Sequence, residues 1–278
     1  MGFRPTAGDT RFRGYVLTAR ANGHRPLRHL SRSVPFILFI ALWQGVSGAH
    51  LVNTDFLPSA FAVGTALVRL VEEHEIFANL GTTLFTCFVG LGLGALVGIP
   101  LGACMAISPG INGFFSPLIK ATYSLPKTAL VPLLMLWFGI GGATNITVVV
   151  LAALLPLVVY TYHGIHGVPR ALVWSAQAMG TPQRSLIWRV LLPAAQQEIM
   201  IGFRIALGFS FVIAISAEMI ASNQGIGKLM FIYGENGAYD YMFAATISLL
   251  VVAYCADRGL VHLSGYLLRW QDSAQRND

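Results

Sequence analysis

Residues 80–107 read LGTTLFTCFVGLGLGALVGIPLGACMAI and contain no charged side chain. A helix crosses the hydrocarbon core of a bilayer with about 20 apolar residues, so this stretch is long enough to span one. Irregular backbone is not tolerated against lipid, which leaves helix as its form. Within it Gly90, Gly94, Gly98 and Gly102 recur at a strict spacing of four. That spacing lines them along one helix face, where absent side chains let another helix approach closely. Packing inside the chain's own bundle is the preferred reading, a seam between two copies the other; both imply a tightly packed bundle.

Working outward, five further apolar runs cover 34–51, 117–138, 146–162, 199–221 and 241–268. The composition agrees, with 55% hydrophobic and only 11% charged residues against about 25% charged in soluble domains. A soluble enzyme of this length would lack the charges to cover its surface. Disorder, a disulfide scaffold and a nucleic-acid module are excluded as whole-chain readings, and no aromatic residues interleave in a stacking pattern with the arginines ahead of the first run, where only Phe3, Phe12 and Tyr15 occur. The expected fold is an all-α membrane protein, a polytopic bundle of six transmembrane helices over residues 34–268. A basic tail, 1–33, precedes it and a short tail, 269–278, follows. Ser47-Gly48-Ala49 resembles a signal-peptide cleavage site, but a basic lead of 33 residues is too long for an ordinary n-region, so the first run is read as a retained anchor. Cys87, Cys104 and Cys255 lie in separate apolar runs without paired spacing, which reads as small core residues.

Orientation follows from lysine and arginine on alternate loops. With the N-terminus inside, the inner side collects Arg4, Arg11, Arg13, Arg20, Arg25, Arg28, Arg32, Arg170, Arg184, Arg189, Arg269 and Arg276, and the outer side only Arg69 and Lys228. Both ends are therefore expected in the cytoplasm. The run 117–138 is unusual in carrying Pro126 and Pro132, each of which removes a backbone donor and clashes with the preceding turn. Ser124-Leu125-Pro126-Lys127 is expected to break or kink the helix. Such breaks persist only where protein or a water-filled cavity surrounds them, so a solute path near Pro126 and Pro132 and a merely kinked packing helix are both open.

The long inner loop, 167–198, is not a passive linker. It holds a helical stretch over 169–179, then Gly180-Thr181-Pro182, then a second stretch over 183–192. Gly180 suits the left-handed position that ends a helix, Thr181 an N-cap and Pro182 the first helical position. Leu172, Val173, Trp174, Ala176 and Met179, with Leu186, Ile187, Val190 and Leu191, give this helix-turn-helix hairpin more apolar surface than a loop in water should show. Docking on its own bundle is the plain reading; docking on a cytoplasmic partner is the functional one.

Gly180, nine residues, then Val190-Leu191-Leu192-Pro193 resembles the second half of the pattern E-A-A-x3-G-x9-I-x-L-P of the membrane subunits of binding-protein-dependent ATP-binding cassette importers. The resemblance extends to Ser124-Leu125-Pro126-Lys127 through Val131-Pro132-Leu133, Leu136-Trp137-Phe138-Gly139, His163-Gly164-Ile165, Gly202-Phe203-Arg204-Ile205-Ala206-Leu207, and Ala217-Glu218-Met219-Ile220 before Gly225-Ile226-Gly227. Together these are similar to the nitrate, sulfonate and taurine branch, over roughly residues 34–268. One departure is clear: Trp174-Ser175-Ala176 stands where the pattern has Glu-Ala-Ala, so tryptophan replaces the family glutamate and is expected to act as an apolar anchor. The resemblance implies a permease of the bacterial inner membrane whose hairpin sits in a groove of a cytoplasmic ATPase, with Trp174, Ala176, Gly180, Val190, Leu192 and Pro193 carrying the coupling. It also implies a second copy of this chain, an ATPase dimer and a periplasmic or lipid-anchored substrate-binding protein. ATP and magnesium belong to the ATPase.

No catalytic residue is expected here. The one Gly-Lys pair, Gly227-Lys228, is followed by Leu229 where a phosphate loop needs Ser or Thr. His163 and His166 have no carboxylate or cysteine near them in sequence, which argues against a metal site. An ion-driven secondary transporter and a non-transporting membrane subunit are the alternatives. The former needs ionisable groups deep in the membrane, and the candidates are Glu218, Asp257, Lys127 and Arg204. Glu218, beside Ser216 and Ser222, either lines an outer gate or satisfies a helix end, while Arg204 is placed to snorkel to the inner interface.

Overall fold

The computed structural model describes residues 25–49, 52 and 56–269, and among them the secondary structure is entirely helical. Four helices are long and apolar enough to cross a membrane: α3 (Glu75–Ile107), α6 (Gly142–His166), α10 (Gln196–Ala221) and α12 (Tyr239–Leu267). Before them stand α1 (Arg25–Gly48) and α2 (Ala60–Glu72). Between α3 and α6 lie α4 (Pro109–Tyr123), a 3₁₀ turn (Lys127–Leu130) and α5 (Val131–Phe138). The hairpin comprises α7 (Arg170–Ala178), α8 (Gln183–Leu186), a π turn (Ile187–Leu191) and α9 (Leu192–Ala194), and α11 (Ile226–Glu235) joins α10 to α12.

Six continuous spanning helices are therefore not what forms. The run 117–138 is divided, because Pro126 cannot donate and stands extended, at ψ 106°, ahead of the 3₁₀ turn. Pro132 then falls in the first turn of α5, where a missing N–H costs nothing. The expected break at 124–127 is thus present, and Lys127 Nζ donates to the Tyr123 carbonyl at 2.9 Å, satisfying the end of α4. In the first run, Ile37–Gly48 is the apolar helix, within α1. That helix already starts at Arg25, inside the stretch read as tail; the readings on 1–24 and 270–278 fall outside the described residues. Two helices, α2 and α11, had no counterpart among the apolar runs. Ser59 caps α2 by accepting from the Ala62 N–H at 3.1 Å.

The core is built on α3, α6 and α10. A Cβ added to Gly90 would lie 2.5 Å from Val149 Cγ1, one on Gly94 3.0 Å from Ala153 Cβ, one on Gly98 3.0 Å from Leu157 Cβ, and one on Gly102 2.5 Å from the Val158 carbonyl oxygen. The glycine stripe therefore packs on α6 of the same chain, opposite a matching row of Val149, Ala153, Leu157 and Thr161. A seam between copies is not its use. Gly92, one helix face away, has no atom within 4 Å of its added Cβ, which marks the contact as directional. Gly202 repeats the device on α10, where the added Cβ would stand 2.7 Å from Tyr160 Cβ.

Candidate functional site

The hairpin begins where α7 ends. Gly180 has φ +80°, its N–H donates to the Gln177 carbonyl at 2.9 Å, and the Thr181 N–H donates to the Ala176 carbonyl at 3.1 Å. This pair of bonds is the Schellman closure, which requires the left-handed residue that glycine adopts without strain. The second leg starts at Gln183, where the sequence suggests, but its cap lies one residue later than expected. Thr181 does not cap α8; Pro182, extended at ψ 149°, occupies the cap position and its carbonyl accepts from Ser185 and Leu186. The reason is local: the Thr181 backbone is already committed to closing α7.

Pro193 shapes the other end. Its ring lacks a donor and crowds the carbonyl four residues back, and the helix ahead of it widens into the π turn, with the Leu192 N–H reaching the Ile187 carbonyl. Leu191 and Leu192 then pack against Ala103, Ile165, Ala195 and Ile199, at the ends of α3, α6 and α10 that adjoin the hairpin. Gly164 makes this junction close, since a Cβ there would lie 2.8 Å from Glu198 Cβ and 3.2 Å from Ala195 Cβ. The hairpin is thus clamped to the bundle at its base.

Its outward side is apolar. Trp174 is 64% exposed, Met179 80% and Trp188 71%, with Leu172 beside them at 50%. Ala176 and Leu186 are buried, and Val190, Leu192 and Pro193 are half-buried. The residues named from the sequence therefore divide by placement: Trp174 is exposed, Gly180 makes the turn, Ala176 is buried, Leu192 packs at the base and Pro193 follows the π turn. Trp188 was missed, although a tryptophan beside Arg189 in the same apolar hairpin is the same signal that drew attention to Trp174.

Glu218 is fully buried. One carboxylate oxygen accepts from Thr83 Oγ1 at 2.8 Å and from the Gly227 N–H at 3.0 Å. Thr83 Oγ1 also accepts from the Ile226 N–H at 2.9 Å, and Asn79 Oδ1 from the Gly225 N–H at 2.8 Å. Glu218, Thr83 and Asn79 thus satisfy successive donors at the start of α11, where the unpaired N–H groups and the helix dipole favour oxygen acceptors. A Cβ on Gly225 or Gly227 would collide with Glu218, so only glycine admits the carboxylate here. Of the two readings left open for Glu218, its geometry is that of a helix end. Ser222 is tied to its own loop through Gln224 and Ser216 to the Val212 carbonyl; no local pattern points to Thr83 and Asn79.

The divided third run borders a cleft of about 890 Å³ between α4, α6 and the start of α10. Lys120, Tyr123, Ser124, Tyr162, His163 and Glu198 line it. The rings of His163 and His166 pack against Tyr162.

Comparison with known proteins decides the class. A family model for the binding-protein-dependent transport system inner membrane component matches residues 94–265. The chain belongs to this family. It is a permease subunit of an ATP-binding cassette importer, a family in which ATP hydrolysis resides on a separate subunit, and the ion-driven and non-transporting alternatives fall away. Such a system implies an ATPase and a substrate-binding protein as partners. The putative aliphatic sulfonates transport permease protein SsuC of Escherichia coli (strain K12) is 33% identical over 244 residues, 87% of this chain and 93% of that protein. The taurine transport system permease protein TauC of the same organism is 29% identical over 243 residues, 86% of this chain and 88% of its own length. In fold, the chain resembles the inward-facing MetNI methionine ABC transporter, with a TM-score of 0.63 at 19% identity, over 70% of this chain and 97% of that one.

Proposed function

We propose that two copies of this permease, two cytoplasmic ATPases and one external binding protein form the working importer, and that its solute is a small sulfonate of the taurine or alkanesulfonate kind. The relatives that carry sulfonates in their names support the solute class, and nitrate or another small organic solute is the wider set. The chain crosses the inner membrane six times in this reading, through α1, α3, the α4–α5 pair, α6, α10 and α12, with both ends in the cytoplasm. The charge asymmetry of the loops supports that orientation.

Energy enters at the hairpin. The observation that carries this is the exposed trio Trp174, Met179 and Trp188 on a base fastened by Leu191 and Leu192. Closure of the ATPase dimer moves the hairpin, and the clamp at Gly164 passes the motion to α6 and α10. The cleft lined by Lys120, Tyr123 and Ser124, with Pro126 and Pro132 outside its lining, forms the inner part of the solute path, and Glu218 is a positioning residue that holds the start of α11. Cross-linking tests the docking: a cysteine at position 188 in a variant lacking Cys87, Cys104 and Cys255 should join to the ATPase subunit. Absence of that product in a complex that still assembles would count against the hairpin as the docking element.

A further inference from the structure

Arg204 on α10 and Asp257 on α12, 53 residues apart in sequence, form a two-pronged ion pair, with Nε–Oδ1 at 2.7 Å and Nη2–Oδ2 at 2.9 Å. Neither partner is sequestered, with side-chain exposures of 58% and 30%. In sequence the two stand only as separate ionisable candidates. Each stands where an uncharged run of its helix ends, 205–217 on α10 and 241–256 on α12. The pair therefore marks the level at which these helices leave the hydrocarbon.

From this pair an apolar groove of about 320 Å³ runs between the two helices. Its far end is Ile215 on one wall and Thr246 on the other, eleven residues from the pair in each case. At 1.5 Å per residue that is about 16 Å, which matches half of the roughly 30 Å hydrocarbon core. The groove is as long as one leaflet is deep. Gly208 leaves it open, with no atom within 4 Å of an added Cβ, and Val212 and Leu250 line it while remaining more than half exposed.

The charged mouth has a surplus cation. Arg258, next to Asp257, stacks its guanidinium on the Tyr254 ring at 5.0 Å, and Arg269 further along lies over Tyr266 at 4.7 Å. Asp257 engages Nε and Nη2 of Arg204, so the Nη1 edge of the planar fork takes no part in that pair and faces outward, suited to a phosphate. Lipid tails alone are a poor cover for a half-exposed ion pair, and an apolar face of another protein would strip its hydration without return.

We propose that the α10/α12 groove holds an anionic phospholipid, its phosphate on Arg204 beside Arg258 and one acyl chain along Gly208, Val212 and Leu250. The site does not depend on which solute is transported; only its assignment to the inner leaflet rests on the proposed orientation. The test uses the permease–ATPase complex in nanodiscs containing phosphatidylglycerol or phosphatidylcholine with a photoreactive group on the acyl chain, followed by mapping of labelled peptides. Labelling of 208–215 and 246–253 should favour phosphatidylglycerol about fivefold, the preference one basic residue supports near an anionic surface. Arg204→Gln combined with Asp257→Asn, which keeps a neutral hydrogen-bonded pair, and with Arg258→Gln, which removes the surplus cation, should erase the preference, and Gly208→Leu should abolish labelling by filling the groove. Equal labelling by the two lipids in the unaltered protein, or unchanged labelling in Gly208→Leu, overturns the proposal. So does a Gly208→Cys variant that forms a disulfide between two copies, which would give the groove to a second chain.

Discussion

Trp174→Ala isolates the docking surface from the fold. The side chain is 64% exposed and so contributes little to the packing of α7. A tryptophan carries 150–250 Å² of surface, so covering the exposed share on the ATPase removes about 130 Å² from water, an upper bound near 3 kcal/mol at ~25 cal/mol/Å². Ordering of the side chain and of the partner reduces this, and about 2 kcal/mol is the expected loss, roughly a 30-fold weaker Kd. The assay is binding of the purified ATPase to the permease in nanodiscs, with thermal unfolding of the permease alone as control. The expected outcome is the weaker Kd with an unchanged unfolding temperature. A Kd within about threefold of the original, at equal stability, would refute the reasoning that this tryptophan replaces the family's charged contact with an apolar one.

Other consequences can be checked separately. Glu218→Ala leaves the Gly227 N–H without its buried acceptor, at about 1–3 kcal/mol, while Thr83 can still donate to the Asn79 carbonyl, and it should lower the detergent unfolding temperature more than Ser216→Ala, whose hydroxyl bonds only its own helix. Gly102→Ala should destabilise the α3/α6 contact by about 1–3 kcal/mol, because the added Cβ would meet the Val158 carbonyl and Thr161, whereas Gly92→Ala should be neutral. Single cysteines introduced at positions 72 and 235 should react with a membrane-impermeant thiol reagent in intact cells, and one at 179 only after permeabilisation. Reversal of that pattern would invert the orientation.

What could be read from the sequence was what depends on near neighbours. The Gly90–Gly102 stripe, the break at Pro126 and the turn at Gly180 all follow from local sterics, and each is where it was expected. The failures have a common cause. Thr181 looks like a cap until the Schellman bonds of α7 claim its backbone. Glu218 could not be assigned to a helix end without Thr83, which is 135 residues away. Asp257 looked unpaired because its neighbour in sequence is Arg258, while its partner in space is Arg204 on another helix. Counting apolar runs also overstates continuity, since proline leaves hydropathy high while dividing the helix. Some signals were present and unused: Gly164 sits among the residues of the family resemblance, and its closeness to Ala195 and Glu198 gives it a packing role that no periodicity marks.

The central claim is that the hairpin transmits the ATPase's motion to the membrane helices, and Gly180 is where it can be severed with least collateral damage. Its φ of +80° disfavours any side chain with a Cβ, at about 1–2 kcal/mol for an ordinary residue, yet no neighbour lies within 4 Å to be displaced. The decisive measurement is uptake of radiolabelled taurine into vesicles containing the permease with Gly180→Val, its ATPase and its binding protein, with ATP hydrolysis followed in parallel. The account predicts ATP-dependent uptake in the unaltered complex, and in the variant at least a tenfold loss of uptake per ATP hydrolysed. Uptake by the variant at the original rate and stoichiometry would contradict it.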